Sequence, residues 1–437
     1  MPTAMTADTQ AGTPAEARQA VGAVFRRESA RLVAGLVRRV RDLDLAEELA
    51  QDALLLALER WPVAGVPENP GAWLFATAKH RALDALRRGR LLERKHGELG
   101  QLQRQREALS GQELEAALLQ AADEDVGDDL LRLVFTACHP VLAREAQVAL
   151  TLRLLGGLST EEIARGFLLP EPTVAQRIVR AKRTLAEKKV PFGVPRGAEL
   201  PARLQAVLQV LYLIFNEGYA ATAGEDWMRP SLCEDALRLA RTLAELLPEE
   251  AEVHGLLALL CIQSSRAAAR TGPGGEPILL LSQDRALWDK ERIGQGLLSL
   301  LRAEELLAER GEYTLQAAIA ACHARAATPE ETDWERIAAL YAELSLRTRS
   351  PVVELNRAVA LGMARGPLAG LSVVDALRED PALRDYHLLP GVRGDLLAKL
   401  GRFGEAREEF LRAAGGTRNA REREVLLARA EGCREKE

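Results

Sequence analysis

The feature that most constrains this chain is the spacing of its apolar residues, which recur every three or four positions. Between residues 21 and 60 the repeat is interrupted only around 42–44, which predicts two amphipathic helices. The residues that carry it are Val24, Leu32, Leu36 and Val40, then Leu45, Leu49, Ala53 and Leu56. Only 4% of the residues are aromatic, and Ala, Leu, Arg and Glu are abundant, which favours helices over sheets. We therefore predict an all-α protein.

The length and the clusters of helix-breaking residues predict several domains. A chain of 437 residues is too long for one core. Prolines and glycines at 61–71 predict a loop inside the first domain, and those at 191–195 predict a domain boundary. The segment 107–129 contains acids but no Lys or Arg, which suggests a linker. We predict a disordered N-terminus over 1–18, a helical domain over 19–95, a linker over 96–127 that is acidic in its second half, a second helical domain over 128–192, and a helical extension over 199–437.

Charge and motif content narrow the class of function. The formal net charge is -5, so a nucleic-acid contact would need local basic patches. The five cysteines lie far apart without a CxxC pair, and no signal sequence, membrane-spanning run, metal-ligand cluster or phosphate-binding loop occurs in the sequence. We expect a cytoplasmic protein without cofactor, metal or membrane partner, and an enzyme is the weakest hypothesis.

The segment LSTEEIARGFLLPEPTVAQRIVRAKR, residues 158–183, is typical of a helix-turn-helix. Ser159 and Glu162 have capping-box spacing at the start of the first helix. Leu168 stands where such motifs usually have glycine, and Pro170 follows, so we expect a reshaped turn. The outer face of the second helix would enter a major groove or touch phosphates through Thr173, Gln176, Arg177, Arg180, Lys182 and Arg183. Two amphipathic helices with a basic surface, without DNA binding, are the alternative.

The extension follows the tetratricopeptide pattern of helical hairpins, with a bundle without repeat ancestry as the alternative. The closest copy comprises Gly394, Leu397, Gly401, Phe403, Ala406, Phe410 and Ala413. Polar groups are predicted inside otherwise apolar helices at Asn216, Glu217, Tyr219, Gln283, Asp284, Arg285, Trp288, Glu354, Asn356 and Arg357. They would either hydrogen-bond between hairpins or line a peptide or ligand groove.

In three segments the chain resembles the sigma-factor family, in its extracytoplasmic-function class. DLDLAEELAQDALLLALERW resembles the polymerase-binding helix, NPGAWLFATAKHRALDALRR the promoter-melting stretch of region 2, and the helix-turn-helix segment resembles region 4. The extension resembles that of a subgroup with a C-terminal tetratricopeptide-like domain, at LYLIFNEGYAAT, LLLSQDRALWD and SPVVELNRAVAL. The resemblance implies core RNA polymerase and promoter DNA as partners.

The resemblance also implies roles for individual residues of region 2. Polymerase would bind Asp42, Leu45, Glu47, Glu48, Leu49 and Asp52. Promoter DNA would contact Trp61, Asn69, Lys79, His80, Arg81, Arg87 and Arg88. Trp73 lies on the apolar face and is expected in the core, and His80 stands where the family often has Asn.

The predicted function is a sigma factor that directs polymerase to promoters and melts them. The extension would regulate it by an intramolecular contact or by receiving a regulatory protein. The alternative is a helical-repeat scaffold, or a regulator whose helix-turn-helix does not act as part of a sigma factor. The scaffold would leave two basic patches unexplained, one over residues 79–88 and one over residues 177–189.

Overall fold

The computed structural model describes residues 28–81, 126–167, 169–221, 226–306 and 309–436. Over these ranges the regular secondary structure is helical, and an isolated bridge between Thr271 and Pro277 is the one β-type pairing. The prediction of an all-α protein is confirmed. No helix within the described ranges is both long and apolar enough to span a bilayer. The described residues divide into two compact units, one holding those up to 165 and those of 169–210, the other holding 166–167 and those from 211 onward.

The described part of the first unit contains seven helices and the start of an eighth. They are α1 (28–40), α2 (Leu43–Ala64), α3 (70–81), α4 (Val126–Ala137), α5 (Arg144–Leu154), α6 (Thr160–Phe167), α7 (Glu171–Glu187) and α8 (Glu199–Tyr219). The predicted break between the first two helices is present, where Asp42 caps α2 by accepting a hydrogen bond from the Leu45 amide at 3.0 Å.

The end of α2 differs from the sequence prediction, which placed a loop from Trp61 onward. The helix continues through Pro62 to Ala64 and ends at Gly65, whose φ of 81° lets its amide bond to the Trp61 carbonyl at 2.9 Å. A proline in a last turn removes only one backbone hydrogen bond, and the buried Trp61 ring anchors that turn. The helix therefore continues past Pro62, the first helix-breaking residue of this stretch.

Residues 199–210 of α8, predicted to begin the extension, belong to the first compact unit. Its apolar side chains Leu204, Val207 and Leu208 are buried. Arg203 donates to the Phe135 carbonyl at 2.7 Å, and Arg144 donates to the Gln209 side chain at 2.5 Å. The long helix is thus fixed to α4 and α5 over its first half.

The second unit consists of successive helices, in which each packs on the next. They are α9 (Pro230–Leu246), α10 (Ala251–Ser264), α11 (Lys290–Leu306), α12 (Glu312–Arg325), α13 (Trp334–Thr348), α14 (Pro351–Arg365), α15 (Pro367–Leu377), α16 (Leu388–Lys399), α17 (Phe403–Gly416) and α18 (Ala420–Arg434).

The hairpin of α16 and α17 has the close helix contact that its small residues predict. A side-chain carbon at Gly394 would come within 2.9 Å of the Phe410 ring and 3.2 Å of the Ala406 carbonyl, so only glycine permits this approach. Gly401, with φ of 76°, makes the left-handed turn between the two helices.

One predicted helix is wrong. Gln283, Asp284, Arg285 and Trp288 were predicted inside an apolar helix, but residues 276–289 form two short 3-10 turns joined by extended residues. The segment follows a stretch rich in glycine and proline, and Asp284 caps the second turn by accepting from the Ala286 amide at 2.9 Å. The apolar residues of this segment therefore lack the support of a continuous helix.

Candidate DNA and polymerase interface

The helix-turn-helix is formed by α6 and α7, and the predicted capping box starts it. The Ser159 hydroxyl accepts from the Glu162 amide at 3.1 Å, and the Glu162 carboxylate accepts from the Ser159 amide at 2.8 Å. Ile163 and Ala164 of α6 are buried, as are Val174 and Ile178 of α7. The apolar side of each helix therefore packs in the interior of the domain.

The opposite face of α7 is open to solvent. Thr173, Gln176, Arg180 and Arg183 are exposed, and Arg177 is half-buried. Arg183 pairs within its own helix, with Glu187 at 2.6 Å. Pro170 precedes α7 in an extended conformation, and Leu168, at the turn predicted to be reshaped, lies outside the described residues. The face can thus present both amide and guanidinium donors to base edges.

The residues predicted to bind polymerase occupy the first turns of α2, but their exposure differs. Glu48 is exposed, Leu45 and Asp52 are half-buried, and Leu49 is buried. Glu47 is only 9% exposed although it is a carboxylate. A buried carboxylate needs a cationic partner, because removal from water penalises the charged form.

The partners of Glu47 come from the helix-turn-helix domain. Arg153 of α5 places Nε 2.5 Å from Glu47 Oε1, and Lys182 of α7 places Nζ 2.6 Å from Glu47 Oε2. Lys182 also lies 2.7 Å from Asp44 Oδ1. We call Asp44, Glu47, Arg153 and Lys182 the interdomain ion cluster. The cluster joins Glu47, which was predicted to bind polymerase, to Lys182, which was predicted to bind DNA.

The electrostatics of this cluster favour the ionised pair. Burial alone would lower the pKa of Lys182, but its hydrogen bonds to Asp44 and Glu47 outweigh the burial and raise that pKa. The Lys182 side chain is only 10% exposed. A second ion pair, between Arg38 Nε and Asp129 Oδ2 at 3.1 Å, joins α1 to α4. Among the described residues, four charged contacts therefore connect the two helical domains.

Sequence reasoning missed Asp44, Arg153 and Arg38 as members of this contact. Arg153 and Glu47 are 106 positions apart, and Lys182 and Asp44 are 138 apart. Helix periodicity relates residues three or four apart, so no local pattern could pair them. The excess of acids in the first turns of α2 was the one available signal.

The structure reverses the expected burial of the two tryptophans beside the α2–α3 loop. Trp61, predicted to contact DNA, is 3% exposed, whereas Trp73, expected in the core, is half-buried. The rings meet edge to face with centroids 5.3 Å apart. In this state Trp73 is the ring with surface available for stacking on a base.

The remaining predicted DNA contacts of the first domain lie at or near α3. Asn69 is exposed and caps α3, accepting from the Ala72 amide at 3.0 Å. Lys79 is half-buried, while His80 and Arg81 are exposed at the last described residues of the helix. Arg87 and Arg88 lie outside the described residues. The described side chains leave a basic, solvent-facing end of α3.

Several of the polar residues predicted within the extension have structural partners. Glu354 binds Arg357 of its own helix and accepts from the Ser345 hydroxyl at 2.9 Å. Glu217 pairs with Arg229. Arg285 donates to the carbonyls of His323 and Ala326 at 3.0 and 2.6 Å. Hydrogen bonding between neighbouring segments is thus one use of these residues.

We expect the stability of the second unit to fall in mild acid because of His323. Burial, then the guanidiniums of Arg266 and Arg285, lower the pKa of His323 to about 4. An ordinary histidine has a value of about 6.5, so the unfolded chain binds the extra proton between pH 6.5 and 4. Stability should therefore drop by about 2 kcal/mol between pH 7.5 and 5.

Thermal or urea unfolding at the two pH values measures this drop. His323→Gln should show a smaller drop than the parent. His254→Gln, at a half-buried position whose ring nitrogen bonds to the Pro248 carbonyl, should show the same drop as the parent. An equal drop in all three proteins would contradict the assignment.

Comparison with protein families gives three matches along the chain. Residues 24–91 match the family described as sigma-70 region 2, and residues 132–185 match sigma-70, region 4. Residues 203–304 match a family of unknown function, DUF6596. The uncharacterized protein R00370 of Rhizobium meliloti (strain 1021) is 43% identical over 395 residues, covering 89% of each chain. No solved structure matches the chain.

Proposed function

The chain belongs to the sigma-70 family and carries a C-terminal helical extension, and on that basis we propose that it directs core RNA polymerase to specific promoters and initiates transcription there. The observation that carries the proposal is the exposed basic face of α7, supported by a buried stripe and a complete capping box. Binding and strand separation require contacts to DNA and polymerase but no enzymatic step by this chain.

In this proposal the two helical domains of the first unit bind different partners or promoter elements. The α2 surface around Glu48, Asp52 and Leu45 binds polymerase, and the end of α3, with Asn69 and Trp73, holds unpaired bases of the downstream promoter element by hydrogen bonds and stacking. The face of α7 reads the upstream element from the major groove.

With the interdomain ion cluster formed, the first unit is in what we call the closed form, and in the open form these ion pairs are broken. Glu47 cannot meet a basic polymerase surface while Arg153 and Lys182 hold it, and Lys182 cannot meet a phosphate while it holds Asp44 and Glu47. We infer that the cluster opens when polymerase binds. The two domains would then be free to reach two promoter elements at once.

Run-off transcription with purified core polymerase tests the main proposal. We expect transcripts from a subset of genomic promoters, and none without the chain. Absence of initiation on every promoter offered, together with failure to bind core polymerase, would leave a scaffold or a different class of regulator. Binding to core polymerase distinguishes a sigma factor from both alternatives, since neither of them requires it.

Regulation by the extension is tested separately, by comparing promoter occupancy with and without the second unit. The cut should fall after Val210, because residues 199–210 pack against α4 and α5 and a cut near Arg196 would damage the first unit. Regulation predicts a different occupancy or signal response in the shortened chain. Identical behaviour of both chains would rule it out.

Two substitutions on and beside α7 should separate base reading from phosphate binding. Arg177→Ala should cost about 1–3 kcal/mol at one base pair and relax the preference there. Lys188→Ala, at an exposed position where the helix ends, should weaken binding evenly for all sequences and reduce the salt slope by about 1. Holoenzyme binding to substituted promoters at several salt concentrations measures both, and equal effects would contradict the assignment.

A further inference from the structure

A cluster of arginines and aromatic rings lies within the second unit, away from the residues assigned to polymerase and DNA. Arg270 stacks 3.3 Å from the Tyr219 ring centroid and 4.6 Å from that of Trp227. Arg266 lies 5.8 Å from the Tyr219 ring and 5.7 Å from the Trp288 ring. Arg285 lies 5.0 Å from the same Trp288 ring. We call these six residues the arginine–aromatic cluster.

The cluster concentrates positive charge, and the acids that act on it, Glu330 and Glu331, influence Arg285 from beyond ion-pair distance. Among the described residues, no carboxylate lies within 4.0 Å of Arg266, Arg270 or Arg285. Arg270 and Arg285 are only 5% and 7% exposed. Burial lowers the pKa of Arg270 to about 10, and the nearby charge of Arg266 adds to that effect against the influence of Tyr219. Buried guanidiniums normally have an anionic partner.

The fold uses only part of the hydrogen-bonding capacity of these arginines. The terminal nitrogens of Arg285 bind two carbonyls and the Thr332 hydroxyl and so fix the segment between α12 and α13. Arg270 binds the Tyr219 carbonyl through Nη1, and Arg266 binds the Tyr219 hydroxyl and the Gln263 side chain through Nη2. Within the described part of the chain, Arg270 Nη2 and Arg266 Nη1 have no acceptor.

Buried N–H groups without acceptors occur in the same place. The indole nitrogens of Trp227 and Trp288 have no partner among the described residues, and neither has Nε of Arg266 or of Arg285. Leaving such donors unsatisfied is costly, so their concentration makes this cluster a candidate site for an acceptor-rich group. A hydroxyl-rich neutral ligand would satisfy donors but would leave the charge uncompensated.

We propose that the arginine–aromatic cluster binds the phosphate group of a small molecule, with Arg266 and Arg270 as its direct ligands and Arg285 as a structural support. Phosphate suits the cluster better than a carboxylate, because it carries up to two negative charges and three strong acceptor oxygens. The burial of Arg270 favours a small compound over a nucleic-acid backbone. The site is independent of the sigma-factor proposal, since it involves none of the polymerase or DNA contacts.

Calorimetric titration of the full chain with inorganic phosphate tests the site directly, with thermal unfolding in parallel. We expect saturable binding and a rise in the unfolding midpoint, neither of which appears with sodium chloride at equal ionic strength. Sodium acetate should bind at least about tenfold more weakly. A rise that sodium chloride reproduces, or phosphate binding that does not saturate, would overturn the proposal.

Two variants locate the binding. Arg266→Gln, at a half-buried position, should weaken phosphate binding at least about tenfold while the helical content stays unchanged. Arg302→Gln is the matched control, because it removes one exposed guanidinium of the same unit that pairs with Glu249. Equal phosphate affinity of Arg266→Gln and the parent would place the anion elsewhere and overturn the assignment, even if the parent binds phosphate.

Discussion

Core RNA polymerase is expected to bind the double variant Arg153→Gln, Lys182→Gln at least about tenfold more tightly than the parent chain. The two substitutions leave Glu47 buried without a cation in the closed arrangement, and an uncompensated buried carboxylate costs about 3–5 kcal/mol. The closed form loses that stability and the open form does not. The open form should then dominate. Because the apparent affinity for polymerase scales with the fraction of molecules in the open form, binding should tighten.

The measurement is a titration of labelled full-length chain with core polymerase, without DNA, so that the role of Lys182 toward phosphates does not enter. The matched control is Arg180→Gln, Arg183→Gln, which removes two charges from the exposed face of α7. It should bind polymerase like the parent. Glu47→Gln opens the cluster but removes a carboxylate predicted to bind polymerase, so it should gain less than the double variant. Equal affinities of the parent and the double variant would show that the cluster does not compete with polymerase.

Trp61→Ala is expected to destabilise the first unit by about 3–5 kcal/mol and to abolish transcription by unfolding the domain. Trp61 is 3% exposed and packs edge to face on Trp73, so truncation leaves a large cavity beside the end of α2. A loss of that size is comparable to the whole stability of a small domain. Urea unfolding and run-off transcription measure the two consequences.

Trp61→Phe and Trp73→Ala separate packing from DNA contact. Phenylalanine keeps most of the apolar volume, and the Trp61 indole nitrogen has no hydrogen-bond partner within the described residues, so Trp61→Phe should stay folded and active. Trp73→Ala, at a half-buried ring, should cost less stability but should weaken binding to melted promoter DNA. If Trp61→Ala is as stable as the parent and loses only promoter binding, the assignment of the two rings is wrong.

The sequence predicted the features that depend on nearby residues. The capping box of Ser159 and Glu162, the break at Asp42 and the glycine turn at Gly401 involve groups within a few positions of one another. Local sterics and hydrogen bonding decide such features before the rest of the chain folds. The sequence prediction failed at residues 276–289, where apolar residues lie on short turns; their packing partners, such as His323 and Thr332, come from distant helices.

The sequence by itself therefore determined the helical class, the order of the motifs along the chain and the basic face of α7, because each of these follows from residue spacing and composition. Only the tertiary structure decided that Glu47 meets Arg153 and Lys182, that Trp61 and not Trp73 is the buried ring, and that Arg266 and Arg270 converge on Tyr219. These contacts join residues that are far apart in the chain or choose between two similar residues on one domain. Their energies depend on burial and on partners brought close by packing, which no local pattern specifies.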